Sequence, residues 1–195
     1  MLRIGAFSIH PVEASRMTGF EGYAGASDPR ESHGDLLEES KFEAHDAETY
    51  REYADMEAFR SGWVATGVVL DDAGRVLLAY DADDDVWLLP GGTLERDESL
   101  VDGLVREVCE ETGVAVDPVR PHAVSEYRIE NAAVDDEWTG FRVAFLEATA
   151  TDATVGDDLG VDDEHITRAD WFLDLPDVLF NDAFTRRLVD YVREE

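Results

Sequence analysis

Residues 92–114, GTLERDESLVDGLVREVCEETGV, constrain this chain more than any other stretch. Leu100, Leu104 and Val108 recur every four residues with Val101 and Val105 beside them, which predicts an amphipathic helix with one apolar stripe. Glu107, Glu110 and Glu111 stand at i, i+3 and i+4, so their carboxylates share the other face. Gly113 stands where a helix-ending glycine belongs. Three like charges within one turn repel and weaken a helix. A divalent cation reverses that cost, and carboxylate oxygens suit a hard ion, Mg²⁺ or Mn²⁺. The competing reading of an isolated E-x-x-E-E is a solvated acidic face.

The spacing of the whole stretch decides between them. Gly92, five residues, Glu98, seven residues, then Arg106, Glu107, Val108, Glu110, Glu111, Gly113 and Val114 resemble the Nudix box, G-x5-E-x7-R-E-U-x-E-E-x-G-U with U aliphatic. Chance would supply such a pattern roughly once in 10⁸ starting points. The preceding Trp87-Leu88-Leu89-Pro90-Gly91-Gly92 is also similar to the family's lead-in. At Gly103 the family more often has Ala; a glycine inside a helix costs about 1 kcal/mol, but the position carries no ligand.

Composition limits the rest. Asp and Glu total 46, the net charge is −30, and Lys41 is the only lysine. The acids are spread along the chain, and with 10% aromatic residues the sequence is not that of a disordered acidic tail. It resembles proteins built for molar salt, where a Debye length of about 3 Å screens self-repulsion. No basic stripe is available to neutralise nucleic-acid phosphates. Cys109, the single cysteine, excludes an intrachain disulfide and reads as a small packing residue. There is no run of 18 apolar residues to cross a membrane and no strong leader pattern, so the expected location is cytoplasmic.

Taken in order, residues 1–60 read as an N-terminal extension with little regular structure beyond a short strand near 2–9. A helix is expected near 44–59, where Tyr50, Tyr53, Met56 and Phe59 recur every three residues. That helix packs on the domain or, as the alternative, on a second subunit of a homodimer. Residues 63–70 and 75–80 flank Asp71-Asp72-Ala73-Gly74 and predict a hairpin. Short strands are expected at 86–89 and 114–116, with Pro118 and Pro121 marking a connection. Longer strands follow at 122–130 and 138–149, a late strand at 169–172 and a helix at 182–193 with Phe184, Leu188, Val189 and Val192 on its apolar face. Strands around a metal-binding helix suit an α/β sandwich. The resemblance implies the Nudix-type α/β/α sandwich with a mixed β-sheet over residues 62–195.

The resemblance also implies the chemistry. The expected reaction is divalent-metal-dependent hydrolysis of a nucleoside diphosphate linked to another moiety. Glu107, Glu110 and Glu111 would be metal ligands, joined by the Gly92 carbonyl, with Arg106 and Glu98 orienting the carboxylates. The general base is either Glu107 within the box or Glu164 outside it. The histidines lack ligand spacing. Tyr127, Trp138 and Phe141 would either stack on a base or belong to the core. Family sub-signatures for ADP-ribose, dinucleoside polyphosphates and NADH are missing, which leans toward nucleoside triphosphates or modified nucleotides. Three other readings stay open: an ADP-ribose or nucleotide-sugar pyrophosphatase, a nucleotide-binding regulator on the same fold, and an interaction protein whose acidic face serves only solvation.

Overall fold

The computed structural model describes residues 22–157, 159, 160 and 165–194. The strand expected near 2–9 and the candidate base Glu164 lie outside them. The elements in chain order are β1 (Leu37–His45), α1 (Ala47–Asp55), α2 (Glu57–Ser61), β2 (Trp63–Leu70), β3 (Val76–Asp81), β4 (Val86–Leu88), β5 (Gly91–Thr93), α3 (Leu100–Thr112), β6 (Val116–Asn131), β7 (Trp138–Ala150), β8 (Ile166–Phe172) and α4 (Asp182–Glu194). One mixed sheet runs β1-β6-β7-β2-β3-β4, with β5 also paired to β2 and β8 to β3.

Both faces of this sheet are covered, as the two-sided apolar sequence of β2 requires. On one face Ala65 and Val69 of β2 pack with Leu104 and Val108 of α3. On the other, Val68 of β2 packs with Phe59 of α2, Phe141, Val143 and Phe145 of β7, and Leu188 and Val189 of α4. The molecule is thus an α/β/α sandwich around a mixed sheet. Gly67 permits close contact on the α3 side: an added Cβ would lie 2.9 Å from Leu104 Cδ1.

The periodic segments form the elements they predict, with differences that long-range pairing explains. Strands 63–70 and 76–81 do turn through Asp71–Gly74, where the Asp71 carboxylate accepts from the Ala73 and Arg75 amides. They register only at Leu70↔Val76, however, and then part. β2 runs parallel to β7 along its whole length, while β3 pairs with β8 and β4. The expected connection at Pro118 and Pro121 is instead part of continuous β6. Register shifts against β7 between Pro118 and Arg120 and between Pro121 and Ala123 accommodate residues that cannot donate to a ladder.

The largest difference lies before residue 60. Residues 37–45, expected to be irregular up to about 43 and helical from 44, form β1, parallel to β6 from Leu37↔Ala123 to His45↔Asn131. The helix expected at 44–59 is two helices, α1 capped by the Asp46 side chain and broken at Met56, whose ψ of 146° is extended. On α3, Leu104 and Val108 are buried, but Val101 (47% exposed) and Val105 (36%) face solvent. Cys109 is exposed as well and is no packing residue. The buried surface of α3 is rotated toward its glutamates.

Candidate active site

The glutamate helix is built from local signals. Ser99 caps it: its hydroxyl accepts from the Asp102 amide and donates to the Asp102 carboxylate. Gly113 ends it at φ 71°, its amide bonding the Cys109 carbonyl. Burying Leu104 and Val108 contributes roughly 1.5–3 kcal/mol for each side chain. Gly103 has a packing reason, since a Cβ there would stand 2.1 Å from Cδ2 of buried Leu94 and 3.2 Å from Glu98 Oε2.

This packing turns Glu107 (4% exposed) and Glu111 (3%) inward, with Glu110 half-buried at the rim. They meet β5, the short Gly91–Thr93 strand paired with β2. The two glycines there are steric requirements. Gly91 has φ 152°, and a Cβ on it would lie 2.2 Å from the Ala65 carbonyl oxygen. A Cβ on Gly92 would lie 2.4 Å from Glu107 Cδ. The Gly91 amide donates to Glu111 Oε2 at 2.8 Å.

Arg106 ties the remaining carboxylates together. Its Nε and Nη2 grip the two oxygens of Glu98 at 2.9 and 2.8 Å, a bidentate pair. Its Nη1 donates to Glu107 at 2.7 Å and Glu110 at 3.1 Å, and Nη2 also reaches the Thr93 carbonyl at 3.1 Å. Hydrogen bonding from Arg106 holds the Glu98 carboxyl below its usual range, against the opposing effect of burial. The Arg106 guanidinium is correspondingly held charged.

The structure therefore brings Glu98, Arg106, Glu107, Glu110, Glu111 and Gly92 together. Gly92, Arg106 and the three glutamates of α3 line a cleft of about 600 Å³. The donors are carboxylate oxygens packed against a glycine backbone with no room for a side chain, which fits a hard divalent cation. Among the described residues no three acidic, histidine or cysteine side chains already converge as a cation cage. Glu107 and Glu110 converge on Arg106 instead.

The cleft also has a part that the box does not announce. Tyr127 and Phe141 stack in parallel with ring centroids 4.8 Å apart, and they line it together with Phe145, Phe184, Asn181 and Thr185. Met56, Glu57 and Ala58 from the segment before β2 contribute another part of the lining. The acids Asp81, Asp84 and Glu95 join the α3 glutamates there, whereas Arg106 is its single basic lining residue among those described. Trp138 does not line it and lies under the Arg128 guanidinium. His122 is buried against Glu147, and His165 is exposed beside Asp83. No sequence motif marked the aromatic part. Its only signal was alternation in strands, which core residues share.

The chain is similar in sequence and fold to known proteins. A family model described as the NUDIX domain matches residues 61–189. A MutT-like protein of Streptomyces ambofaciens is 51% identical over 51 residues, 26% of this chain and 33% of that protein, so the chain spans about a third of that relative's length. An RNA pyrophosphohydrolase of Dinoroseobacter shibae is 31% identical over 118 residues, 54% of this chain and 71% of that one. Among solved structures, the MutT NUDIX hydrolase of Burkholderia pseudomallei superposes with a TM-score of 0.50 at 24% identity, covering 67% of this chain and 96% of the other. This last likeness concerns the fold.

Proposed function

Because the chain belongs to the Nudix hydrolase family, we propose that it hydrolyses a nucleoside diphosphate linked to another moiety, with a nucleoside triphosphate or modified nucleotide as the favoured substrate. The observation that carries this reading is the inward face of α3, where Glu107, Glu110 and Glu111 meet Gly91 and Gly92 in the cleft. A diphosphate is strongly anionic, and this cleft has many acids and one arginine already bonded to two of them and to Glu98. Carboxylates alone would repel such a substrate. Mg²⁺ or Mn²⁺ held by Glu107, Glu110, Glu111 and the Gly92 carbonyl would screen that charge, polarise a phosphoryl oxygen and lower the pKa of bound water.

The chain's own residues supply position and proton transfer. Arg106 and Glu98 fix the Glu107 and Glu110 carboxylates on the helix face. The Gly91 amide fixes Glu111. Glu107 is the general base candidate within the box, standing against Gly92 in the cleft; Glu164 is the candidate outside it. The aromatic lining offers a site for a planar base. One relative is named an RNA pyrophosphohydrolase. A free nucleotide suits this chain better, because an RNA end brings further phosphates toward a surface of net charge −30.

A panel of nucleoside triphosphates, ADP-ribose, dinucleoside polyphosphates, nucleotide sugars and 5′-triphosphorylated RNA, assayed with Mg²⁺ and with Mn²⁺ in molar KCl, tests the reading. Glu110→Gln is expected to lower kcat at least about 100-fold while circular dichroism stays that of the parent. Parent-like turnover in that variant would sink the assignment.

A further inference from the structure

The single lysine of the chain sits at an unusual place. Lys41 lies on β1 directly across from Tyr127 of β6 in the parallel register. Its side chain is 10% exposed, and its ammonium stands 5.2 Å from the Tyr127 ring centroid. Phe141 stacks on the same Tyr127 ring, and both rings line the cleft. Two residues back on the same face of β1, Glu39 Oε2 is 3.5 Å from Lys41 Nζ. The same oxygen accepts from Asn181 Nδ2 at 3.1 Å. Asn181 precedes α4 in a left-handed conformation, φ 47°, and lines the cleft beside Phe184.

This arrangement decides which end of the Asn181 amide is which. An ionised carboxylate only accepts hydrogen bonds, so the atom facing Glu39 must be the amide nitrogen. Lys41 keeps Glu39 in that role as its ion-pair partner. The carbonyl Oδ1 is then the end left over, and among the described residues it accepts from no protein donor. An amide that could rotate would offer either a donor or an acceptor to a ligand. Held by Glu39, it offers an acceptor.

We infer that Glu39 and Lys41 are positioning residues for substrate choice: through Asn181 and Tyr127 they make the aromatic part of the cleft select a planar base that presents a hydrogen-bond donor, such as an exocyclic amino group. This rests on the nucleotide reading above and narrows it. It also gives β1, which precedes the segment matched by the family model, a part in the reaction. A purely structural β1 would stabilise the sheet and leave base preference alone.

The test uses base pairs that exchange amino for keto: ATP against ITP, and CTP against UTP. Parent protein is expected to favour at least one amino member by roughly five- to tenfold in kcat/KM, the size of one hydrogen bond. Glu39→Gln, whose own amide can donate to Asn181 and free it to turn, is expected to bring that ratio near one through KM, with kcat little changed. Lys41→Met should move the ratio the same way, and Lys41→Arg should restore it. Calorimetric binding of adenosine against inosine and of cytidine against uridine, which carry no phosphate for the cleft acids to repel, reads the same preference without turnover. Preference in binding with no hydrolysis of any nucleotide would refute the hydrolytic reading and keep this one. Equal preference in the parent, a ratio unmoved by Glu39→Gln, or failure to bind any of the four overturns it; failure to hydrolyse any nucleotide with Mg²⁺ or Mn²⁺ overturns the hydrolytic reading.

Discussion

At the scale of single residues, the site is governed by where side chains are forbidden as much as by where they are present. Gly92 is the sharpest case, because Glu107 occupies the space its Cβ would need. Gly92→Ala should push that carboxylate away and lower kcat about 100-fold, the cost of a misplacement near 1 Å, while the thermal midpoint moves by only a few degrees. Steady-state kinetics beside a melting curve checks both halves. The acidic residues of the box could be located from their spacing alone, since no chance distribution of acids reproduces it. The reason for Gly103 could not: it depends on Leu94, which approaches from the loop before the helix. Asn181 and Glu39 were equally hidden, being far apart in sequence and joined only by a side-chain hydrogen bond.

Among the elements, β1 changes the picture most. It is fastened by a charge cluster in which Arg30 meets Glu38 of β1 at 3.2 Å, Asp28 at 2.6 Å and Glu126 of β6 at 2.7 Å. The Glu126 side chain is 1% exposed, with Arg142 of β7 at 3.4 Å as its second cation. Removing one partner of a buried pair strands the other charge, so Arg30→Met should destabilise the fold by about 3 kcal/mol in urea unfolding. Arg142 limits the loss by remaining at Glu126. Burial would raise the pKa of Asp28, but the hydrogen bonds from Arg30 outweigh it and the carboxyl is held below its usual range. Its stabilisation is therefore complete above about pH 4 and disappears as pH falls through the lowered folded value. Asp28→Asn should show a shallower decline than the parent between about pH 5 and 2 when unfolding midpoints are compared. Such clusters explain what the chain did not disclose. β3, α3, β7 and α4 have strong periodicity and were legible. β1 alternates charged and apolar residues weakly, and its strand state depends on β6 lying alongside. The prolines in β6 look like breakers until the register shifts are seen.

For the whole molecule, charge dominates. With a net charge of −30, self-repulsion opposes compaction in dilute buffer. Raising KCl from 0.1 to 2 M shortens the Debye length from about 10 Å to below about 3 Å, and the thermal midpoint should rise by well over 10 °C across that range. A flat response in differential scanning calorimetry would remove the molar-salt reading of the composition. Among the described residues no helix is long and apolar enough to cross a membrane. The outer side of α3 adds something practical to this picture. Cys109 is exposed on the helix whose inner side holds Glu107 and Glu111, and it is the only thiol in the sequence. The unmodified chain thus carries one attachment point for a maleimide dye, a helix diameter of about 10 Å from the carboxylates. Titrating Mg²⁺ or Mn²⁺ against such a dye would make cation arrival visible as a spectral change, with no engineered cysteine and no substrate in the cuvette.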